Sequence, residues 1–136
     1  MNGYLSVISI LRADGPVGLL IGGSGVNTAR VFPGDPPQKA TFPLICVETF
    51  DAEPFDTKSG VSVTDHELVR VRYMDDSEPY DLAEKGRDAL DGYAAGTVNG
   101  RYIEWVRYLR SDSYEFNLTN RRLRVHEQEY QVRVRN

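Results

Sequence analysis

The sequence predicts an α+β fold, with a mainly antiparallel sheet of about four to five strands and two helices packed on one face. Three observations carry that prediction. Apolar residues recur at spacings of three and four in two well-separated segments, 4–13 and 79–93. Between and after them lie segments rich in β-branched and aromatic residues with period-two alternation. Prolines and glycines fall mostly at the joints between these segments, where they act as breakers. The resulting order is helix, three strands, helix, two strands.

The first helix is expected over residues 4–13, where Leu5, Ile8 and Leu11 share a face with Tyr4 and Val7. Gly15-Pro16 ends it, residues 17–21 have the composition of one further turn, and Gly22-Gly23-Ser24-Gly25 stops the run. Arg30-Val31-Phe32 reads as a short strand and residues 44–50 as a longer buried one, with Ile45, Val47 and Thr49 alternating. Pro33, Pro36 and Pro37 between them lack amide donors, which stiffens the connection toward polyproline II and argues against a ladder there. A loop is expected over residues 51–60.

Residues 61–74 alternate, with Val61, Val63, Val69, Val71 and Tyr73 on one face and Ser62, Thr64, His66, Arg70 and Arg72 on the other. Asp65 and Glu67 interrupt the apolar face, so the first half reads as an exposed hairpin arm. The second helix is expected over residues 79–93, on a stripe of Leu82, Ala83, Gly86, Ala89, Leu90 and Tyr93. Pro79 suits its first turn, Asp81 and Glu84 suit its positive end, and Gly92 or Gly96 can close it. Asn99-Gly100 signals a turn. Residues 102–109 form a strand with large side chains on both faces, and residues 111–120 read as a polar loop. In the last strand, 121–135, apolar parity switches from Leu123 and Val125 to Tyr130, Val132 and Val134, which predicts a bulge near Glu127-Gln128.

At 136 residues the chain reads as a single domain, 1–136, burying roughly 68% of its unfolded surface. No apolar run approaches the ~20 residues of a membrane span, and no basic region precedes an apolar one at the N-terminus, so neither membrane insertion nor secretion is expected. The single cysteine, Cys46, lies inside an apolar strand and is expected to be a buried, inert thiol in a reducing compartment. The net charge of −4 is unevenly spread. Residues 1–100 carry 8 Lys and Arg against 15 Asp and Glu, a net −7; residues 101–136 carry 8 Arg against 5 Asp and Glu, a net +3. An acidic body with an arginine-rich end argues against broad nucleic-acid affinity and permits complementary contacts between copies or partners.

Motifs of catalysis are missing. The glycine-rich loop lacks the Gly-Lys-Ser/Thr of a phosphate loop, has Thr28 where the dinucleotide fingerprint needs glycine, and has Val26 where a nucleophile elbow does. His66 and His126 have no partner at a metal-ligand spacing. Asp75-Asp76-Ser77-Glu78 is acidic but has no calcium-loop pattern and reads as a solvated helix entry. Trp105-Val106-Arg107-Tyr108 matches only the end of an RNA-recognition strand, with Tyr102, Ile103 and Glu104 off-pattern. Asn117-Leu118-Thr119 is a sequon, but with secretion not expected it reads as a chance match. Neither an enzyme activity, a metal nor a cofactor is expected.

Taken together, the N-terminal helix, the Arg30-Val31-Phe32-Pro33 strand and Pro37-Gln38-Lys39-Ala40-Thr41-Phe42-Pro43-Leu44-Ile45 leading into the next strand resemble the tail-terminator, or tail-completion, family of long-tailed bacteriophages. The resemblance continues through Ala89-Leu90-Asp91-Gly92 and the arginine-flanked last strand, so it spans nearly the whole chain. It implies a non-enzymatic virion part: a ring, usually of six copies, at the head-proximal end of the tail. Such a ring ends tube growth and docks the head connector, while genome DNA passes through its lumen without specific binding. The implied partners are further copies of the chain, the tail tube protein and the head–tail connector, with assembly in the host cytoplasm and no membrane. Loop aromatics and prolines, Pro36, Pro37, Phe55, Tyr114 and Phe116, are the candidate interface residues. Asp75, Asp76 and Glu78 are candidates for an acidic lumen. A head-side connector or stopper is the near alternative, and a small nucleic-acid-binding or enzymatic α+β domain the distant one.

Overall fold

The computed structural model describes residues 3–23, 29–54, 64–93, 95–118 and 121–135. In chain order its elements are α1 (Gly3–Ala13), α2 (Gly15–Leu20), β1 (Val31–Pro33), β2 (Leu44–Pro54), β3 (Thr64–Asp75), α3 (Tyr80–Leu90), β4 (Gly96–Val98), β5 (Arg101–Leu118) and β6 (Arg121–Arg135). The strands form one sheet in the order β1-β2-β3-β6-β5-β4. Only the short β1–β2 pair is parallel; the other pairs are antiparallel.

All three helices pack on one side of this sheet. Val7, Ile8 and Leu11 of α1, Val17 of α2, and Leu82, Ala83 and Leu90 of α3 meet Ile45, Val47, Val69, Val71, Tyr73, Tyr130, Val132 and Val134 from the strands. Each buried Val, Leu or Ile here contributes about 1.5–3 kcal/mol, so this layer dominates stability. Asp14 caps α2 by accepting from the Val17 N–H at 3.0 Å, and Pro16 fits the donor-free first turn. Gly15-Pro16 therefore ends one helix and opens the next. Pro79 is the N-cap of α3 rather than a first-turn residue, and Gly92, at φ +73°, follows its C-cap. Asn99 (φ 51°) and Gly100 (φ 77°) make the tight turn between β4 and β5 that their sequence predicts.

Several expectations need correction. The fold is α+β, but it has three helices and six strands among the described residues rather than two helices and four to five strands. β2 runs on through Pro54, so residues 51–54 of the expected loop are strand; residues 55–60, with Phe55, and 61–63 lie outside the described residues, as do Ser24, Gly25 and Thr119. Pro33 joins the ladder as the last residue of edge strand β1, opposite Val47, where its missing donor is tolerated. Glu67 does not mark an exposed arm. It is fully buried on the helix side and accepts a hydrogen bond from the Gly3 N–H at the start of α1, where the helix end is positive. Residues 111–118 are strand, not loop: they extend β5 and pair with residues 121–128 of β6.

The predicted bulge in β6 is absent. β6 pairs with β3 in unbroken register from Arg124 to Arg135, and the register shifts fall in β5, between Ile103 and Trp105 and between Tyr108 and Arg110. The parity switch has another cause. Tyr130, Val132 and Val134 point into the helix-side core, whereas Val125 belongs to a second cluster with Leu44, Cys46 and Met74. The sheet is buried on both faces at one end, and β6 supplies apolar residues to each in turn.

Candidate interaction surfaces

Met74 and Val125 of the second cluster, with Leu123, make the floor of a groove of about 590 Å³ on the sheet face away from the helices. The register aligns Leu44, Met74, Val125 and Tyr114 as one row across β2, β3, β6 and β5. Residues 34–43 form the opposite wall, with Pro36, Pro37, Ala40 and Phe42 lining the space. Three arginines hold this proline-rich connection and the β1 strand that leads into it through backbone carbonyls. Arg72 Nη2 donates to Gly34 O at 2.8 Å, Arg30 Nε to Pro43 O at 2.9 Å, and Arg12 Nη2 to Val31 O at 2.7 Å. Where prolines cannot donate, guanidinium groups supply the donors that position the segment. The Cys46 thiol beneath is pushed up to about 11, chiefly by burial, which keeps it protonated and unreactive.

Beyond the groove the same face becomes ionic. The register sets Glu48, Arg70, Glu129 and Arg110 side by side across four strands, with alternating sign. Arg70 reaches Glu48 at 3.4 Å, Glu127 at 3.5 Å and Glu129 at 3.6 Å, and Arg110 pairs with Glu129. Further along, Glu104 pairs with Arg133 and Arg135, each at 2.8 Å. The outer side of β5 is paired with β4 only at residues 101–103, so among the described residues no strand covers it farther along. There Val106 O accepts from the Gly92 N–H and the Tyr108 N–H donates to Asp91, whereas Ser111 to Glu115 are all exposed.

Of the interface candidates, Pro36, Pro37 and Tyr114 converge on the groove. Phe55 lies outside the described residues, and Phe116 is placed by its backbone, opposite Leu123 near the tip of the β5–β6 hairpin. Asp75, Asp76 and Glu78 lie at the β3–α3 turn, where the Asp75 and Glu78 carboxylates are used locally. Asp75 accepts from the Asp76 N–H at 2.8 Å and from Ser77 Oγ at 3.2 Å, and Glu78 accepts from the Tyr80 N–H. The groove floor escaped sequence reasoning because Met74 occupies an even position of β3, which alternation assigns to the wet face.

No catalytic constellation emerges among the described residues. Ser113 Oγ lies 2.8 Å from His126 Nδ1, but the pair sits on an exposed hairpin with the edge of Tyr80 against the imidazole, 5.4 Å between ring centres. Asp112 lies on the opposite strand face, beside Glu127, so it is not placed to orient the imidazole. His66 packs on Trp105 at 5.5 Å. No group of three or more His, Cys, Asp or Glu among the described residues is placed to hold a metal.

Comparison with models of protein families gives no match, and comparison with curated proteins gives none either. Among solved structures, the fold is similar to that of a chain in the virion of a native gene transfer agent particle, with a TM-score of 0.74 and 19% identity over 98% of this chain and 96% of that one. At that identity the likeness is one of fold, and it extends over essentially the whole of both chains.

Proposed function

We propose that the chain is a structural virion protein of a phage-type particle, forming a ring at the head-proximal end of the tail that ends tube growth and docks the head connector. The observation that carries the reading is the end-to-end fold likeness to a chain of a gene transfer agent virion. The surfaces support it. A ring needs two different complementary patches per subunit, and among its described residues this molecule presents an apolar groove, a strand edge that no other strand covers and a charge-laddered sheet face. In this role the chain catalyses nothing and needs no cofactor. The turn with Asp75, Asp76 and Glu78 faces the lumen, where like charge keeps passing DNA mobile.

The test is to delete the coding sequence from the producing particle and image the products. A tail-ending ring predicts tubes of uncontrolled length that fail to join heads, restored by supplying the chain in trans. Filled heads with a leaking portal and tails of normal length would instead indicate a head-side stopper. Normal particles would reject a virion role.

A further inference from the structure

We infer that copies of this chain join head to tail, the Leu19–Leu20 knob of α2 on one copy seating in the groove walled by Pro36, Pro37 and Tyr114 on the next. This deepens the ring reading and rests on it for its biological setting. The knob is unusual for a folded surface. Leu19 is 88% exposed and Leu20 37%, at the end of a six-residue helix, beside a shallow surface made by Gly15, Pro16, Gly18, Gly22 and Gly23. Bare glycines cannot shield the two leucines, so the apolar surface stands open to another molecule.

The groove has the matching character, with an apolar floor, a volume of about 590 Å³ and Tyr114 at its mouth, itself 38% exposed. It lies on the sheet face opposite the helix layer that carries α2. A chain therefore cannot fill its own groove. A two-fold pairing of groove on groove leaves the leucines wet. Only a heterologous contact buries both patches, and repetition of such a contact gives a ring or a filament. The rims agree in charge. Asp35, Lys39 and Arg72 line the groove, a net +1, while Asp14, Lys85 and Asp88 stand with Pro16 at the foot of α2, a net −1, so the two rims are complementary.

The test uses the full chain in sedimentation velocity. Wild type is expected to associate beyond a dimer as concentration rises. Leu19→Asp alters an exposed side chain and Tyr114→Glu puts charge at the groove mouth; each alone is expected to weaken association on the order of 30-fold or more, as loss of a buried anchor does. An equimolar mixture of the two retains one intact knob and one intact groove, and is expected to form a 1:1 dimer that grows no further. Pro37→Glu serves as the groove variant if the melting curve of Tyr114→Glu shows a damaged fold. A wild type that stays monomeric, single variants that associate like wild type, or a mixture that stays monomeric would each overturn the inference. Association through knob and groove by a chain that particle imaging finds outside the virion would leave the inference intact and reject the ring reading.

Discussion

Gly86 is where α3 comes closest to the sheet. A Cβ built there meets the Oη, Cε1 and Cζ of Tyr73 inside van der Waals contact, and Tyr73 is fully buried with its hydroxyl held well above its usual pKa by that burial. Replacing glycine by alanine in a helix interior ordinarily stabilises by about 0.8–1 kcal/mol. Forcing atoms into a packed core costs about 1–3 kcal/mol, and here the neighbour is a rigid ring. The clash wins, so Gly86→Ala is expected to lower stability by about 1–2 kcal/mol in chemical denaturation, with partial recovery in the Gly86→Ala/Tyr73→Phe double variant. Tyr130 and Gln128 fix the same layer by another route: the tyrosine hydroxyl donates to Gln128 Oε1 at 2.6 Å, and Gln128 Nε2 donates to Ala83 O at 3.2 Å. His126 gives this layer a pH response. Burial lowers its pKa, partly opposed by Asp112. The unfolded chain then binds the proton more readily than the folded one, so the contribution is complete above the ordinary histidine value of about 6.5 and is lost as pH falls through the folded value. Denaturation midpoints are expected to drop between pH 7.5 and 5.5, and to drop less in His126→Gln.

At the scale of elements, the charge ladder joins the four central strands on the face the helices leave bare. Arg70 is its hinge, half-buried between Glu48, Glu127 and Glu129 and stacked over Phe50 at 4.5 Å. Removing it leaves the nearly buried Glu129 with Arg110 alone and sets three carboxylates close together. Arg70→Ala is expected to destabilise by about 1–2 kcal/mol in chemical denaturation, below the cost of a fully buried pair because water still reaches the site. Sequence legibility follows the same division between faces. α1 and α3 are legible because each buries one stripe, and the central strands because alternation marks the helix side. β4 is only Gly96-Thr97-Val98, too short for any period to register. Ser111 to Glu115 read as loop because the hairpin arm is wet on both faces, so alternation has no burial to report. The groove was half legible: Pro36, Pro37 and Tyr114 stand out as loop-type residues, but the floor that joins them depends on a second buried face visible only once the strands are in register.

For the whole molecule, the question is whether charge or apolar surface carries association. The −7 and +3 halves of the sequence invite an electrostatic answer. The structure weakens it, because the arginines of the basic end are largely spent within the chain. Arg110 pairs with Glu129, Arg122 and Arg124 reach Glu115 at 3.6 and 3.9 Å, and Arg133 and Arg135 share Glu104. Paired charges project little field beyond a Debye length, which is about 10 Å at 0.1 M salt. Leu19 and the groove keep their apolar area at any ionic strength. The association constant is therefore expected to change by less than about threefold between 50 and 500 mM sodium chloride, whereas an interface built on several unpaired charges would weaken far more. Any salt effect should appear in the association rate, through rim residues such as Lys39 and Asp88, and leave the dissociation rate unmoved. Stopped-flow light scattering across that salt range separates the two, and a dissociation rate that rises steeply with salt would return the interface to the arginine-rich end of the chain.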